Sequence, residues 1–385
     1  MKSEIAALEL HYVVSELSAC VGAKVEQVYQ RDKRELFFSL HSSGAGKKYL
    51  RIVVGKFLYL AARKPAMPQV PPGFCLYLRK RLNNARLVGV RQLGFERIVE
   101  FSFERKSREG IASFLLYAEL FTPGNIVLCD SKEMILSVLE KQKWGKRTLE
   151  PKHRYEYPKK DANVLTVNID QFKAILAKSD KESVVKTLAI DLGLGGVYAE
   201  EVCFQSGIDK LTDSKNLKAA EVEKVFDALQ DLRSAKIQPM IICGADESIV
   251  DVIPIDLAGH AKKPRKEFSS FSEALDAALS EKFEVLEEEK KISESRSRFA
   301  KVDEILADQQ SRLAGLQKAE SENQRKAELI YENYTVINDL LKQLLEAKKK
   351  YSWQEVRSKL KGHAMIKGVD ERTGEITVEL NDTHK

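Results

Sequence analysis

Near the middle of the chain the sequence reads LGLGGVYAEEV, residues 192–202, with helical patterns on both sides. Gly193 and Gly195 alternate with leucines, and Gly196 opens the second helical pattern. This order is typical of a helix-hairpin-helix, in which glycines let backbone N–H groups approach a phosphate at the start of a helix. The alternative is a glycine-rich turn between two packed helices. The two adjacent glutamates of the stretch count against close phosphate contact.

On the N-terminal side of this turn, residues 1–165 predict a basic α+β domain, in which runs of strands are separated by few helices. An amphipathic helix is expected within residues 4–20 and a second one over 74–83. The predicted strands lie at 24–30, 35–40, 48–54, 56–61, 85–93, 98–103, 112–119 and 125–130. We therefore expect the whole chain to be an α+β multidomain protein.

Residues 166–268 predict the helix-hairpin-helix domain with a β-rich connector at about 237–256. A basic, proline-containing segment at 259–266 is interpreted as a linker. Residues 269–328 predict a coiled-coil arm and 329–385 a small middle domain, which ends in a short helix and a hairpin.

The arm is predicted from apolar residues seven positions apart, Val285, Ile292, Phe299, Leu306 and Leu313. The second row is only partly apolar: Glu288, Ser295, Val302, Gln309 and Leu316. One strict and one weak row favour a helical hairpin or arm over a two-stranded zipper, and a plain surface helix is the alternative. Because an arm that leads away should return, we expect the chain to be a fragment of a longer protein.

The charge pattern is the main functional signal. No Asp or Glu occurs between Leu36 and Phe95, whereas eleven basic residues do. Charges of one sign cannot be buried unpaired, so they should face water or a polyanion, and phosphate backbones are the natural partner. The candidate RNA face comprises Lys47, Lys48, Arg51, Arg79, Lys80, Arg81, Arg86 and Arg91. A solvated basic face with no partner is the alternative, and acidic lipid is a weaker one.

Several function classes are not indicated. The sequence shows no catalytic triad, paired-carboxylate signature, Walker loop or nucleotide fingerprint, so we expect no enzyme, no cofactor and no small-molecule substrate. Five isolated cysteines in apolar runs are interpreted as core residues of a protein in a reducing compartment, without a metal site. The first residues carry no signal pattern and no apolar run is long enough to span a membrane, so a cytoplasmic protein is expected.

Six stretches, taken in order, resemble the NFACT family of ribosome-associated quality-control factors. They are LELHYVVSEL (8–17), PPGFCLYLRKRL (71–82), FERIVEF (95–101), AELFTPGNIVL (118–128), FSSFSEALD (268–276) and IYENY (330–334). The resemblance implies an N-terminal domain similar in fold to Fpg/Nei DNA glycosylases, then a helix-hairpin-helix, a coiled-coil arm and a middle domain. It implies no glycosylase activity, since fold is not function and Lys2 stands where that class needs an N-terminal proline.

The resemblance also implies partners: the large ribosomal subunit with its rRNA and proteins, a stalled peptidyl-tRNA, and a recruited tRNA, chiefly alanyl-tRNA. The stalled chain is then extended without mRNA, while the ribosome performs the chemistry. The family's tRNA-reading acid and Asp-Arg pair correspond to Glu9 and to Glu96-Arg97. Both acids are Glu here, one methylene longer than the usual Asp, which leaves the choice of tRNA open.

The sequence also allows a structural interpretation of this pair and two other functions. By sequence alone, Glu96 and Arg97 are most simply an ion pair at the edge of a strand. A DNA-binding or DNA-repair module could use the same basic residues. A surface adhesin would match the older labels of bacterial family members, but the absent signal pattern and the unpaired cysteines argue against it.

Overall fold

A computed structural model describes residues 2–380 of the chain except positions 45, 109, 146, 159–162 and 371. Within a long helix, the side chains at 281–295, 297 and 298 also lie outside the described part. The chain divides into two compact units, Met1–Val285 and Leu286–Lys385. The predicted four-part division of the chain stays a prediction.

The first unit is built on a nine-stranded antiparallel sheet in the order β4-β3-β2-β1-β5-β6-β7-β8-β9. Six residues of β2 in succession are buried, so the sheet is covered on both faces there. The strands are β1 (Lys24–Asp32), β2 (Glu35–Ser42), β3 (Gly46–Val53), β4 (Phe57–Ala61), β5 (Arg86–Gln92), β6 (Ile98–Ser107), β7 (Gly110–Glu119), β8 (Asn125–Asp130) and β9 (Ile135–Val138). Short strands β10 (Gln142–Trp144) and β11 (Arg147–Leu149) pair with each other.

Two helices complete this core. Helix α1 (Ala7–Ser18) buries apolar residues at helical spacing, and α2 (Gly73–Leu82) does the same with Cys75, Leu78 and Leu82. Strands β1 to β8 and both helices confirm the predicted mixed α/β fold, whereas β9 to β11 were not predicted.

The helical region lies between residues 169 and 234. It comprises α3 (Ile169–Lys178), α4 (Val184–Lys186) with a π-helical continuation (Thr187–Asp191), α5 (Gly196–Ser206) and α6 (Ala219–Ser234). Asn168 caps α3, because its side chain accepts from the Gln171 amide while the Gln171 side chain accepts from the Asn168 amide. The predicted short-looped helical pattern is confirmed here.

A three-stranded sheet follows, in the order β13-β12-β14, formed by β12 (Met240–Cys243), β13 (Ile249–Ile253) and β14 (Arg265–Glu267). The predicted β-rich connector is therefore confirmed, but the predicted linker at 259–266 is wrong. Its end belongs to β14, which pairs antiparallel with β12.

Helix α7 (Phe271–Glu332) runs through the whole predicted arm, and α8 (Tyr334–Lys350) follows after Asn333. The Glu16 carboxylate on α1 accepts from the backbone amides of Phe271 and Ser272, at 2.5 and 3.0 Å, and so caps the start of α7. In the predicted row, Phe299, Leu306 and Leu313 are each more than half exposed. The side chains of Val285 and Ile292 lie outside the described residues, and coiled-coil pairing stays a prediction.

The second unit ends in a small module with its own core, in which Leu344, Val356 and Ile366 are buried. Helix α9 (Trp353–Lys359) and the hairpin of β15 (Ile366–Val369) and β16 (Ile376–Val378) form it together with α8. The short helix and the hairpin confirm the predicted end of the chain.

Candidate nucleic-acid interface

A cavity of about 790 Å³ gathers the predicted tRNA-reading residues and the glycines of the predicted turn. It lies among the start of α1, the turn between β5 and β6, and the glycine turn before α5. Its lining includes Glu9, Glu96, Arg97, Gly193, Gly195 and Gly196. Residues chosen from three separate stretches of sequence thus meet at one place, which makes this cavity the candidate site.

Arg97 stands at the cavity wall with its side chain 25% exposed. Its Nη1 atom lies 2.8 Å from Oε2 of Glu4 and 3.5 Å from the Ile5 carbonyl oxygen. The side-chain amide of Gln92 donates to the carbonyl oxygens of Ala7 and Glu96, at 3.0 and 2.9 Å, and thereby connects the turn to the start of α1. The rigid turn therefore presents a planar guanidinium that is already paired on one side.

Glu9 is placed differently from the expectation, since its side chain is only 1% exposed. Oε1 lies 2.6 Å from the Lys2 ammonium and accepts from the Tyr198 hydroxyl at 2.8 Å, while Oε2 accepts from the Ala6 amide. The Lys2 ammonium also lies 2.8 Å from Asp251. Direct reading of tRNA by the Glu9 carboxylate is not supported by this arrangement, because burial and these partners occupy both of its oxygens.

The electrostatics of this buried cluster follow from its partners. Burial lowers the pKa of the Lys2 ammonium, but Glu9 and Asp251 outweigh it and raise that pKa above the ordinary value. The ion pair between Lys2 and Glu9 holds the first residues of the chain beside Tyr198 and Asp251. Glu9 therefore stabilises the wall of the cavity.

The cavity as a whole does not favour phosphate. It is lined by four carboxylates and two cations, Glu4, Glu9, Glu96, Asp251, Lys2 and Arg97. An excess of acceptors fits groups that donate hydrogen bonds, such as the amino groups of nucleobases, better than an anion.

Two glycines of the predicted helix-hairpin-helix turn have left-handed backbone angles. Gly193 and Gly195 have φ values of 77° and 80°, which only glycine adopts readily. The amides of Leu194 and Gly195 donate to the carbonyl oxygens of Leu188 and Ala189, both at 3.2 Å. Two amides of the turn are thus already used inside the fold, so the expected cradle of open N–H groups is smaller than the motif suggests.

The two glutamates that follow the turn are both engaged. The Glu201 side chain is buried and accepts from the backbone amides of Ala258 and Gly259, at 2.8 and 3.0 Å. Glu200 is exposed and pairs with Lys210 at 2.8 Å. Glu200 is therefore paired with a cation and Glu201 is directed at backbone amides away from the turn, which weakens the objection raised by the sequence.

The predicted basic face contains one clear error. Arg51 is 4% exposed and lies in the core, where its Nε and Nη2 atoms are 2.7 and 2.6 Å from Glu35 and its Nη1 donates to the Tyr59 hydroxyl. Its guanidinium also lies 5.3 Å from the centre of the Phe37 ring. Arg51 is consequently a buried structural residue and no part of an exposed face.

The other seven basic residues are exposed or partly exposed. Lys47 lies 2.7 Å from Glu26, and Arg91 forms two parallel hydrogen bonds with Glu100. Arg81 covers the Tyr77 ring at 3.6 Å. The remaining members, which form no ion pair with any described residue, are Lys48, Arg79, Lys80 and Arg86. That these residues contact RNA stays a prediction.

The acids that pair with bases of the acid-free stretch lie just before and just after that stretch in the sequence. Glu26 and Glu35 lie before Leu36, and Glu100 lies after Phe95. Antiparallel pairing of neighbouring strands brings them beside the bases. The acid-free stretch is therefore less positive in space than in sequence.

Sequence reasoning did not assign a role to three residues of the buried cluster, Lys2, Tyr198 and Asp251. They come from the first residues, from α5 and from β13, and only the tertiary fold joins them. No local pattern marks such a group. The five cysteines, by contrast, are buried as free thiols, as the sequence predicted.

Among the described residues no helix is both long and apolar enough to cross a membrane.

The family model described as NFACT N-terminal and middle domains matches residues 7–385. Archaeal Rqc2 homolog aRqcH of Methanocaldococcus jannaschii is 30% identical over 399 residues, covering 99% of this chain and 58% of the relative. Ribosome quality control complex subunit NEMF of Homo sapiens is 25% identical over 385 residues, covering 92% and 35%.

A solved structure shares the fold of much of the chain. The N-terminal part of the fibronectin/fibrinogen-binding protein from Streptococcus suis aligns with a TM-score of 0.58 at 23% identity, covering 72% of this chain and all of that chain. The present chain spans a little over half of the archaeal relative and about a third of the human one. With nearly its whole length matched by one family model, the chain belongs to the NFACT family.

Proposed function

We propose that this chain is the N-terminal and middle part of a cytoplasmic ribosome-associated quality-control factor. It binds a large ribosomal subunit that carries a stalled peptidyl-tRNA and recruits a tRNA, with alanyl-tRNA the leading candidate, for mRNA-independent extension of the nascent chain. Family membership and the names of the relatives support the ribosomal role. The observation that carries the tRNA role is the cavity where Glu96 and Arg97 meet the glycine turn.

RNA is held in two ways in this proposal. The exposed bases of the acid-free stretch, such as Lys48 and Lys80, neutralise phosphates without regard to sequence. Within the cavity, Arg97 grips a base edge with its planar fork, which Lys cannot replace. Glu96 accepts from a base amino group or orients Arg97, and the buried Glu9 keeps the wall in place.

The chain itself performs no bond chemistry in this proposal. The ribosome catalyses peptide transfer, and the chain's contribution is to select and place the tRNA. The second unit, with the basic run Lys348–Lys350 at the end of α8, contacts rRNA and proteins of the large subunit.

Sequencing of RNA that copurifies with the chain from cells tests the proposal. Binding competition at physiological salt then separates RNA from DNA, with labelled tRNA challenged by unlabelled tRNA or by duplex DNA of equal phosphate content. We expect tRNA to be enriched in the copurified pool, with alanine isoacceptors foremost, and duplex DNA to be the poorer competitor. Equal competition by DNA, with no enrichment of tRNA, would favour a general nucleic-acid-binding module.

A further inference from the structure

A second cavity, of about 570 Å³, adjoins the turn that carries Glu96 and Arg97. Its lining includes Arg91–Gly94, whereas Phe95 and the two residues after it line the first cavity. The two cavities have no lining residue in common. One rigid turn therefore separates two recesses of similar size.

Two arginines form walls of the second cavity, and each is fixed by a carboxylate. Arg91 donates from Nε and Nη2 to the two oxygens of the buried Glu100, both at 2.8 Å, and its side chain remains 67% exposed. Arg154 donates from Nε and Nη2 to Oε2 of Glu133, at 3.1 and 2.9 Å, and is 68% exposed. Each guanidinium is thus held by two hydrogen bonds while much of its surface stays open, as a stacking platform requires.

Aromatic residues and carboxylates complete the recess. The Tyr117 and Tyr155 rings stack with their centres 3.9 Å apart, and Tyr157 lines the cavity while only partly buried. The carboxylates of Glu133 and Glu156, which also line the cavity, are at least partly exposed and supply acceptors for a ligand with N–H groups.

Charge decides which part of a nucleotide the recess suits. The two arginines are matched by Glu100 and Glu133, and Glu156 adds a further carboxylate. No excess positive charge remains for a phosphate, which these carboxylates would repel. A neutral planar group with N–H donors fits instead, and unstacked nucleobases in RNA are bound in this way, on aromatic rings and guanidinium planes.

We propose that the cavity at Arg91 and Arg154 is a second base-binding site, which takes an unstacked nucleobase of a bound RNA while the phosphates stay outside it. The inference rests on the proposed RNA-binding function and adds a site to it. One RNA segment could then place bases on both sides of the turn at residues 93–97.

Two variants test the site without removing its charges. Arg91→Lys keeps a cation beside the buried Glu100 but loses the planar platform, and Tyr157→Leu removes a ring and no charge. Arg265→Lys is the matched control, because Arg265 pairs with Asp256 at 3.0 Å on an exposed surface away from both cavities. The probes are a single-stranded oligoribonucleotide of about twelve residues and an inorganic polyphosphate of similar charge, titrated at one salt concentration.

We expect both variants to bind the oligoribonucleotide on the order of tenfold more weakly than wild type and to bind polyphosphate as wild type does. The control should match wild type with both probes, and unfolding temperatures should show that all three variants are folded. If wild type binds the oligomer and both variants equal the control, the second site is overturned while the RNA-binding function stands. If wild type binds neither the oligomer nor tRNA, the proposed function fails as well.

Discussion

At the scale of single residues, the most instructive outcome is Arg51. Its partner Glu35 is the last acid before the acid-free stretch, on the strand that pairs with its own. A count of charges along the sequence does not reveal this contact, because the register between β2 and β3 places residue 51 beside residues 35 and 37. Lys48 is exposed as expected because it lies at the exposed start of β3, and its contact with RNA stays a prediction.

This placement predicts opposite effects for two neighbouring bases. Arg51→Ala removes one of the two arginines that pair with the buried Glu35 carboxylate and leaves Arg31 as its partner, so it should lower the free energy of unfolding by about 1–3 kcal/mol. Lys48→Ala, on the exposed surface, should change it by about 0.5 kcal/mol or less. Urea denaturation measures both. Equal stability of the two single variants would show that Arg51 is not a core residue.

At the scale of elements, patterns of apolar residues predicted most helices and strands, because each element buries a regular face. Strand β14 was mistaken for a linker since all three of its residues are exposed and give no alternation. Only backbone pairing with β12 makes it a strand. The short strands β9 to β11 were not predicted for a related reason. Segments of three or four residues are too short to show an alternation of apolar and polar residues.

The glycine turn offers a test at this scale. Gly195 has φ 80° and ψ 163°, a region essentially restricted to glycine, so the cost of a substitution there comes from the backbone and not from lack of space. Gly195→Ala should therefore cost about 1–3 kcal/mol of unfolding free energy and weaken tRNA binding, because the turn forms the cavity wall. Gly196→Ala is the control, since this residue opens α5 and has open space around it. Indistinguishable unfolding curves for the two variants would contradict the account of the turn.

At the scale of the whole molecule, the sequence indicated which stretches line the candidate site, but it did not predict the contacts within that site. Glu96, Arg97 and the glycines meet at one cavity, although they were selected for separate reasons. The buried contacts of Glu9 with Lys2 and Tyr198 could not be foreseen, because they join distant parts of the chain. Family resemblance, rather than local pattern, carried the functional hypothesis.

The distribution of charge predicts how RNA affinity depends on salt. Within the eight-residue candidate RNA face, Arg51 is buried, and Lys47 and Arg91 already have carboxylate partners. About four or five bases of this face therefore remain to contact phosphates. The logarithm of the tRNA binding constant should then fall with the logarithm of salt concentration at a slope of roughly −3 to −5. Fluorescence titration between about 50 and 200 mM salt measures it, and a flat dependence would exclude electrostatic binding.

The most direct test of the proposed tRNA site is the affinity of tRNA for the chain bound to isolated large ribosomal subunits, compared between wild type and Arg97→Ala at matched salt. The ion pair with Glu4 is partly exposed and contributes about 0–1 kcal/mol, so the variant should unfold at nearly the wild-type temperature. Its tRNA binding should weaken by about 1–3 kcal/mol, while Arg265→Ala, which removes a comparable exposed pair, should have no effect. Unchanged tRNA affinity in a folded Arg97→Ala variant would contradict the proposed role of the cavity.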